Sequence, residues 1–122
     1  MAVRLFVYGS LRRGGSAHAL LEGARFLGAA RTAPGFELWD CGEYPGIGRG
    51  GPAQVVGELY EVPDAQMAEL DEYEGPLYAR EILELEGGGQ AEAYVLTAAA
   101  EEIRVALVDC GDWMARAKRP RP

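Results

Sequence analysis

The chain is 122 residues long, 48% apolar and 25% charged, so it is one globular domain large enough to bury a core. Twelve Lys and Arg against nineteen Asp and Glu leave a formal charge of −7, which argues against a nucleic-acid partner but not against a small anionic substrate. Two cysteines, Cys41 and Cys110, supply neither a disulfide framework nor a metal cluster; two reduced, partly buried thiols are expected, with a single bridge as the alternative.

The opening MAVRLFVYGS alternates Val3, Leu5 and Val7 with Arg4, Phe6 and Tyr8, the period of a strand covered on both faces. Its apolar stretch is too short for a signal peptide or a membrane span, so a cytoplasmic location is expected. Gly9 breaks the strand. A polar loop follows to residue 16, then a short helical turn around residues 17–22. Residues 25–39 read as strand interrupted by the turn pair Pro34-Gly35. The Gly- and Pro-rich stretch at 41–52 (CGEYPGIGRGGP) reads as a loop, a candidate lid. Residues 54–62 form the next strand, and Pro63-Asp64 opens a helix with Asp64 suited as its N-cap. Two strands, 77–86 and 91–97, flank a Gly87-Gly88-Gly89 hairpin turn. Residues 101–117 read as helical in part, and 118–122 as a frayed basic tail. Five or so short strands with few helices predict a single mostly β, α+β domain over 1–117, a closed or nearly closed barrel.

The run LDEYEG is the most informative stretch. At about 100° per residue, Met67 and Leu70 mark the buried face of the helix, and Glu74 falls between their directions. Glu69 and Glu72 point to solvent, and Asp71 lies at the edge of the buried stripe. Gly75 suits a left-handed helix end, and Pro76 forbids continuation. Periodicity leaves two readings of Glu74: a solvated residue on a fraying helix, or a carboxylate beneath the helix end. In the second, burial and the helix dipole both raise its pKa, as a general base working near neutrality requires.

Tyr8-Gly9-Ser10-Leu11 offers a second element. A strand that turns sharply at Gly-Ser leaves backbone N–H groups without ladder partners, a nest for a carboxylate or a developing oxyanion. A plain strand-to-loop turn is the alternative. Nucleophilic catalysis by Ser10 would need His18, the only histidine, as base, and the elbow pattern G-x-S-x-G is absent because Arg12 stands at its second glycine. One histidine and two distant cysteines make no metal site.

Taken together, these motifs carry a resemblance. The chain resembles the gamma-glutamylcyclotransferase-like (AIG2-like) family through Tyr8-Gly9-Ser10-Leu11, Tyr44-Pro45-Gly46-Ile47, Val56-Gly57-Glu58-Leu59-Tyr60, Leu70-Asp71-Glu72-Tyr73-Glu74-Gly75, Tyr78-x-Arg80 and Ala93-Tyr94-Val95. The resemblance implies a small mixed β-barrel with a few peripheral helices, and a cofactor-free cyclisation of a γ-glutamyl amide to 5-oxoproline with release of the amine. It implies Glu74 as acid/base, the Tyr8–Leu11 turn as the site for the γ-glutamyl moiety, and Tyr44, Tyr78 and Tyr94 as pocket residues. Arg80 is implied either as a substrate contact or as half of a surface ion pair. The expected partner is a small γ-glutamyl molecule, with no nucleic acid and no membrane; the leaving amine and the oligomeric state stay open. A non-catalytic carboxylate-binding module on the same fold is the alternative.

Overall fold

The structure is a computed structural model that describes residues 2–15, 17–42, 44–98, 100, 104, 106–108 and 110–114. The predicted basic tail at 118–122 and eight of the seventeen residues of the predicted helical stretch at 101–117 lie outside the described residues. Among the described residues eight strands and one α-helix are formed, in the order β1 (Ala2–Val7), β2 (Arg25–Arg31), β3 (Phe36–Asp40), β4 (Pro45–Arg49), β5 (Val56–Pro63), α1 (Asp64–Glu74), β6 (Tyr78–Glu84), β7 (Gln90–Leu96) and β8 (Ala106–Leu107), with a 3-10 turn at His18–Leu21 after β1.

The sheet runs β2-β5-β1-β7-β4-β3-β8, with β6 also paired to β7. An isolated bridge joins Thr32 to Leu85, beyond the ends of β2 and β6, and Ala33 N–H donates to the Glu84 carbonyl there. The sheet therefore curls into a half-barrel whose far edges meet at that bridge, the α+β architecture expected. β1 is buried on both faces, as its alternation predicts. Phe6 and Tyr8 point into the barrel core with Leu38, Ile47, Leu83 and Val95. Leu5 and Val7 point to the other side, where Met67 and Leu70 of α1 cover them. Met67 and Leu70 are fully buried, each worth about 1.5–3 kcal/mol, and they fix the roll of the helix on the sheet.

The site opens where the sheet divides. β7 pairs in parallel with β1 at Leu5↔Glu92 and with β4 at Ile47↔Val95. One edge of β7 is thus shared: β1 leaves it after Val7, and β4 takes its place. Crevices outside the carboxyl ends of diverging parallel strands are where open sheets bind ligands.

Three expectations are corrected. The stretch 41–52 is not a lid: residues 45–49 are β4, paired along their length with β3. Glycine there serves close approach, since a Cβ on Gly46 would run into the Leu96 side chain. Ala106 and Leu107 are not helical but pair with Asp40 and Trp39 of β3. Asp64 is not the N-cap; the helix begins at Asp64 itself, preceded by Pro63 in an extended conformation. The charge of Asp64 still lies favourably in the first turn. Cys41 is buried and Cys110 exposed, both free thiols.

Candidate active site

A cavity of about 260 Å³ sits in the crevice, lined by Gly9, Ser10 and Leu11 on one side and by Glu74 on the other. The carbonyls of the turn are engaged within the loop that follows it. Gly9 carbonyl accepts from Arg12 N–H at 3.0 Å, and Ser10 carbonyl accepts from Ala17 N–H at 2.9 Å. The Leu11 carbonyl accepts from His18 Nδ1 at 2.8 Å, a nitrogen that must carry its proton to do so. A trans peptide points its N–H opposite its C=O. The Ser10 and Leu11 N–H groups, which share peptides with the engaged Gly9 and Ser10 carbonyls, are therefore directed away from those bonds. Among the described residues neither meets an acceptor. Gly9 is required by proximity: a Cβ there would stand 2.5 Å from Pro45 Cγ, so only glycine lets β4 begin against the turn.

Opposite lies the end of α1. Gly75 terminates the helix at φ +73° and ψ −167°, a conformation open essentially to glycine alone, though not the left-handed helical one expected. Its N–H donates to Asp71 carbonyl at 3.2 Å. The helix end is ordered, so Glu74 is held inward and partly buried, lining the cavity. No Lys or Arg forms an ion pair with it among the described residues. Burial pushes the Glu74 carboxyl up from an ordinary 4.5 to about 7.

The tyrosines form the rest of the wall. Tyr78 donates its hydroxyl to the Pro45 carbonyl at 2.6 Å, and Tyr94 donates to Asp71 Oδ1 at 2.7 Å. Burial raises both phenols above the usual range, and Asp71 adds to the rise at Tyr94. Both therefore remain neutral. Tyr44 lines the mouth with its ring tilted against Tyr78 at a centroid distance of 6.4 Å. Tyr8 also borders the cavity, but its hydroxyl is consumed by the fold: it accepts from Ile47 N–H at 3.1 Å and donates to the Tyr94 carbonyl.

Of the nine residues singled out in the sequence, eight line this one cavity: Tyr8, Gly9, Ser10, Leu11, Tyr44, Glu74, Tyr78 and Tyr94. Arg80 does not. Its Nε pairs with Asp71 Oδ1 at 2.9 Å and its Nη1 with Glu92 Oε1 at 3.4 Å, on the outer side of the Tyr94–Asp71 bond. Replacing Arg80 with Gln should lower kcat/KM by less than about threefold, because partly exposed pairs hold little energy. A larger loss in steady-state assays would return Arg80 to the site. The serine reading finds no support, since His18 is outside the cavity lining and engaged with Leu11. Sequence reasoning missed Phe6, Val7, Pro45, Tyr73 and Leu77 as lining residues. The signal was there for two of them: Tyr73 and Leu77 flank Glu74 at a broken helix end.

Comparison with known proteins places the chain in a family. The family model described as gamma-glutamyl cyclotransferase, AIG2-like, matches residues 5–115. The chain is 35% identical over 119 residues to the gamma-glutamylcyclotransferase family protein YtfP of Escherichia coli, spanning 95% of this chain and 100% of the relative. It is 34% identical over 105 residues to the gamma-glutamylaminecyclotransferase of Rattus norvegicus, spanning 70% and 68%. A crystal structure of a uropathogenic E. coli-specific protein shares the fold at a TM-score of 0.85, with 24% identity and 93% of each chain covered. The motifs that line the cavity fall within residues 5–115, and the chain belongs to the gamma-glutamyl cyclotransferase, AIG2-like family.

Proposed function

We propose that this protein cyclises a γ-glutamyl amide to 5-oxoproline and releases the amine, with Glu74 as general acid/base. One observation carries the reading: an inward carboxyl with a pKa of about 7 shares a small cavity with the first turn, whose Ser10 and Leu11 amides meet no acceptor among the described residues. The ionised Glu74 takes one proton from the substrate's α-ammonium group. The free amine attacks the γ-carbonyl carbon, forming the ring C–N bond and placing charge on oxygen. Collapse of that intermediate breaks the original amide C–N bond, and Glu74 returns its proton to the departing nitrogen. The second proton lost by the attacking nitrogen ends on the same leaving group, which departs as an ammonium ion, so no net proton is taken up or released.

The turn amides of Ser10 and Leu11 stabilise either the oxyanion or the substrate carboxylate. Neutral Tyr78 and Tyr94 give the bound chain an apolar wall with no competing charge. Because attack is intramolecular, holding the substrate folded can supply several kcal/mol, since effective molarities of well-oriented rings reach about 10⁵ M or more. Mass spectrometry of products from a panel of γ-glutamyl amino acids, γ-glutamylamines and γ-glutamyl-ε-lysine tests the reading. Stoichiometric 5-oxoproline and free amine are expected; free glutamate, or ligand binding without turnover, would refute it.

A further inference from the structure

The amides of the first turn are held from behind by a group that touches no part of the cavity. Glu58 lies on β5, paired with Val7, the last residue of β1 before the turn. Its side chain is 12% exposed. Glu58 Oε1 accepts from Arg13 N–H at 2.9 Å and from the Tyr60 hydroxyl at 3.1 Å. Its Oε2 faces Arg12 Nε at 3.7 Å, while Arg12 Nη1 reaches Asp112 Oδ1 at 2.6 Å. Neither Glu58, Arg12, Tyr60 nor Asp112 lines the active-site cavity.

Such a cluster is a poor source of stability. Taking two carboxylates and a guanidinium out of water costs about as much as their attraction returns, and an apolar replacement is often as stable. What the cluster does is geometric. Arg12 N–H closes the turn on Gly9 carbonyl, and Arg12 and Arg13 are the two residues after the turn that Glu58 holds. Holding Arg12, whose N–H takes the Gly9 carbonyl, fixes the plane of the Gly9–Ser10 peptide that carries the Ser10 N–H, and restrains the adjoining Ser10–Leu11 peptide that carries the Leu11 N–H.

We propose that Glu58 is a positioning residue for the anion-binding turn, acting through Arg12 and the Arg13 amide to aim the Ser10 and Leu11 N–H groups into the cavity. The proposal rests on the cyclotransferase reading for its kinetic consequence, though not for its binding consequence. The test compares the wild type with Glu58→Ala and Glu58→Gln, using Glu86→Gln on the exposed Arg31–Glu86 pair as a surface control. Folded fraction, kcat and KM for the best panel substrate, and calorimetric affinity for 5-oxoproline are measured.

Per folded molecule, Glu58→Ala should lose about 10- to 100-fold in kcat/KM, the scale of an ångström-sized misplacement. Glu58→Gln keeps an acceptor for Arg13 but releases Arg12, and should lose about tenfold with thermal stability nearly unchanged. A fall in kcat identifies the turn with the oxyanion; a rise in KM with weaker 5-oxoproline binding identifies it with the carboxylate. In either case the pH limb set by Glu74 stays where it is. Folded variants within about twofold of wild type overturn the proposal, and if Glu58→Ala does not fold, Glu58→Gln alone decides. Should the wild type release no 5-oxoproline, the cyclotransferase reading fails and the same comparison is made on 5-oxoproline affinity; a wild type that binds none overturns both.

Discussion

Glu74→Gln will leave the fold intact and cut 5-oxoproline release by about 10²–10⁴-fold, the usual cost of removing a general base. Glutamine fills the same volume at the end of α1, where the carboxyl makes no ion pair among the described residues, so nothing structural is lost. What disappears is the shuttle between attacking and leaving nitrogens. The wild-type kcat/KM should rise with pH through about 7 as Glu74 ionises, and the residual activity of the variant should lack that limb. Turnover by the variant within about tenfold of wild type would remove Glu74 from the mechanism.

The same substitution carries a stability signature of opposite sign. The carboxyl titrates near 4.5 when unfolded and near 7 when folded, so between those values the folded state binds the extra proton. Stability attributable to this group is therefore full below about 4.5, falls as pH rises towards about 7, and is flat beyond. The shift corresponds to roughly 3 kcal/mol as an upper value, since the cavity opens to solvent. Urea melts at pH 8 should show Glu74→Gln more stable than wild type, with the difference shrinking towards pH 4.5. A carboxylate that impairs its own fold is what the proposed acid/base role of Glu74 requires.

How much of this could be read beforehand depended on the reach of each interaction. Both faces of β1 were legible because a strand's period is a local property; the helix period placed Glu74 between Met67 and Leu70 but left a solvated residue on a fraying helix as the other reading. β4 was not. Glycines at 46, 48, 50 and 51 signal a loop to any local reading, and only the Leu96 side chain, fifty residues on, shows why Gly46 sits in a strand. Arg80 was undecidable for the same reason: Asp71 and Glu92 reach it from α1 and β7. Glu58 lay in a motif already noticed, yet its function depends on Arg12, Arg13 and Asp112, which only the folded chain brings to it. Eight of the residues that line the cavity were readable; the partners that hold them in place were not.

Tyr8→Phe tests whether the divided sheet edge is what keeps the cavity open. The Tyr8 hydroxyl sits at the junction where β1 leaves β7 and β4 replaces it, taking the Ile47 N–H of one strand and giving to the Tyr94 carbonyl of another. Phenylalanine preserves the ring and its place in the core but orphans both backbone groups. A buried unpaired group costs about 1–3 kcal/mol, so a total near 3 kcal/mol is expected. For a domain of this size that is a fall in Tm of roughly 10 °C. The loss should also be local: the Ile47 amide should exchange with deuterium far faster, ahead of core amides in β5. Catalysis should suffer with it, because Pro45 leads β4, abuts Gly9 and holds the Tyr78 hydroxyl. If β4 drifts from β1, the distance between the turn amides and Glu74 is no longer set, and kcat should drop in the surviving folded protein. A hydroxyl that served only the substrate would behave otherwise, raising KM while leaving Tm and Ile47 protection unchanged. That result would mean the crevice is held open by packing alone.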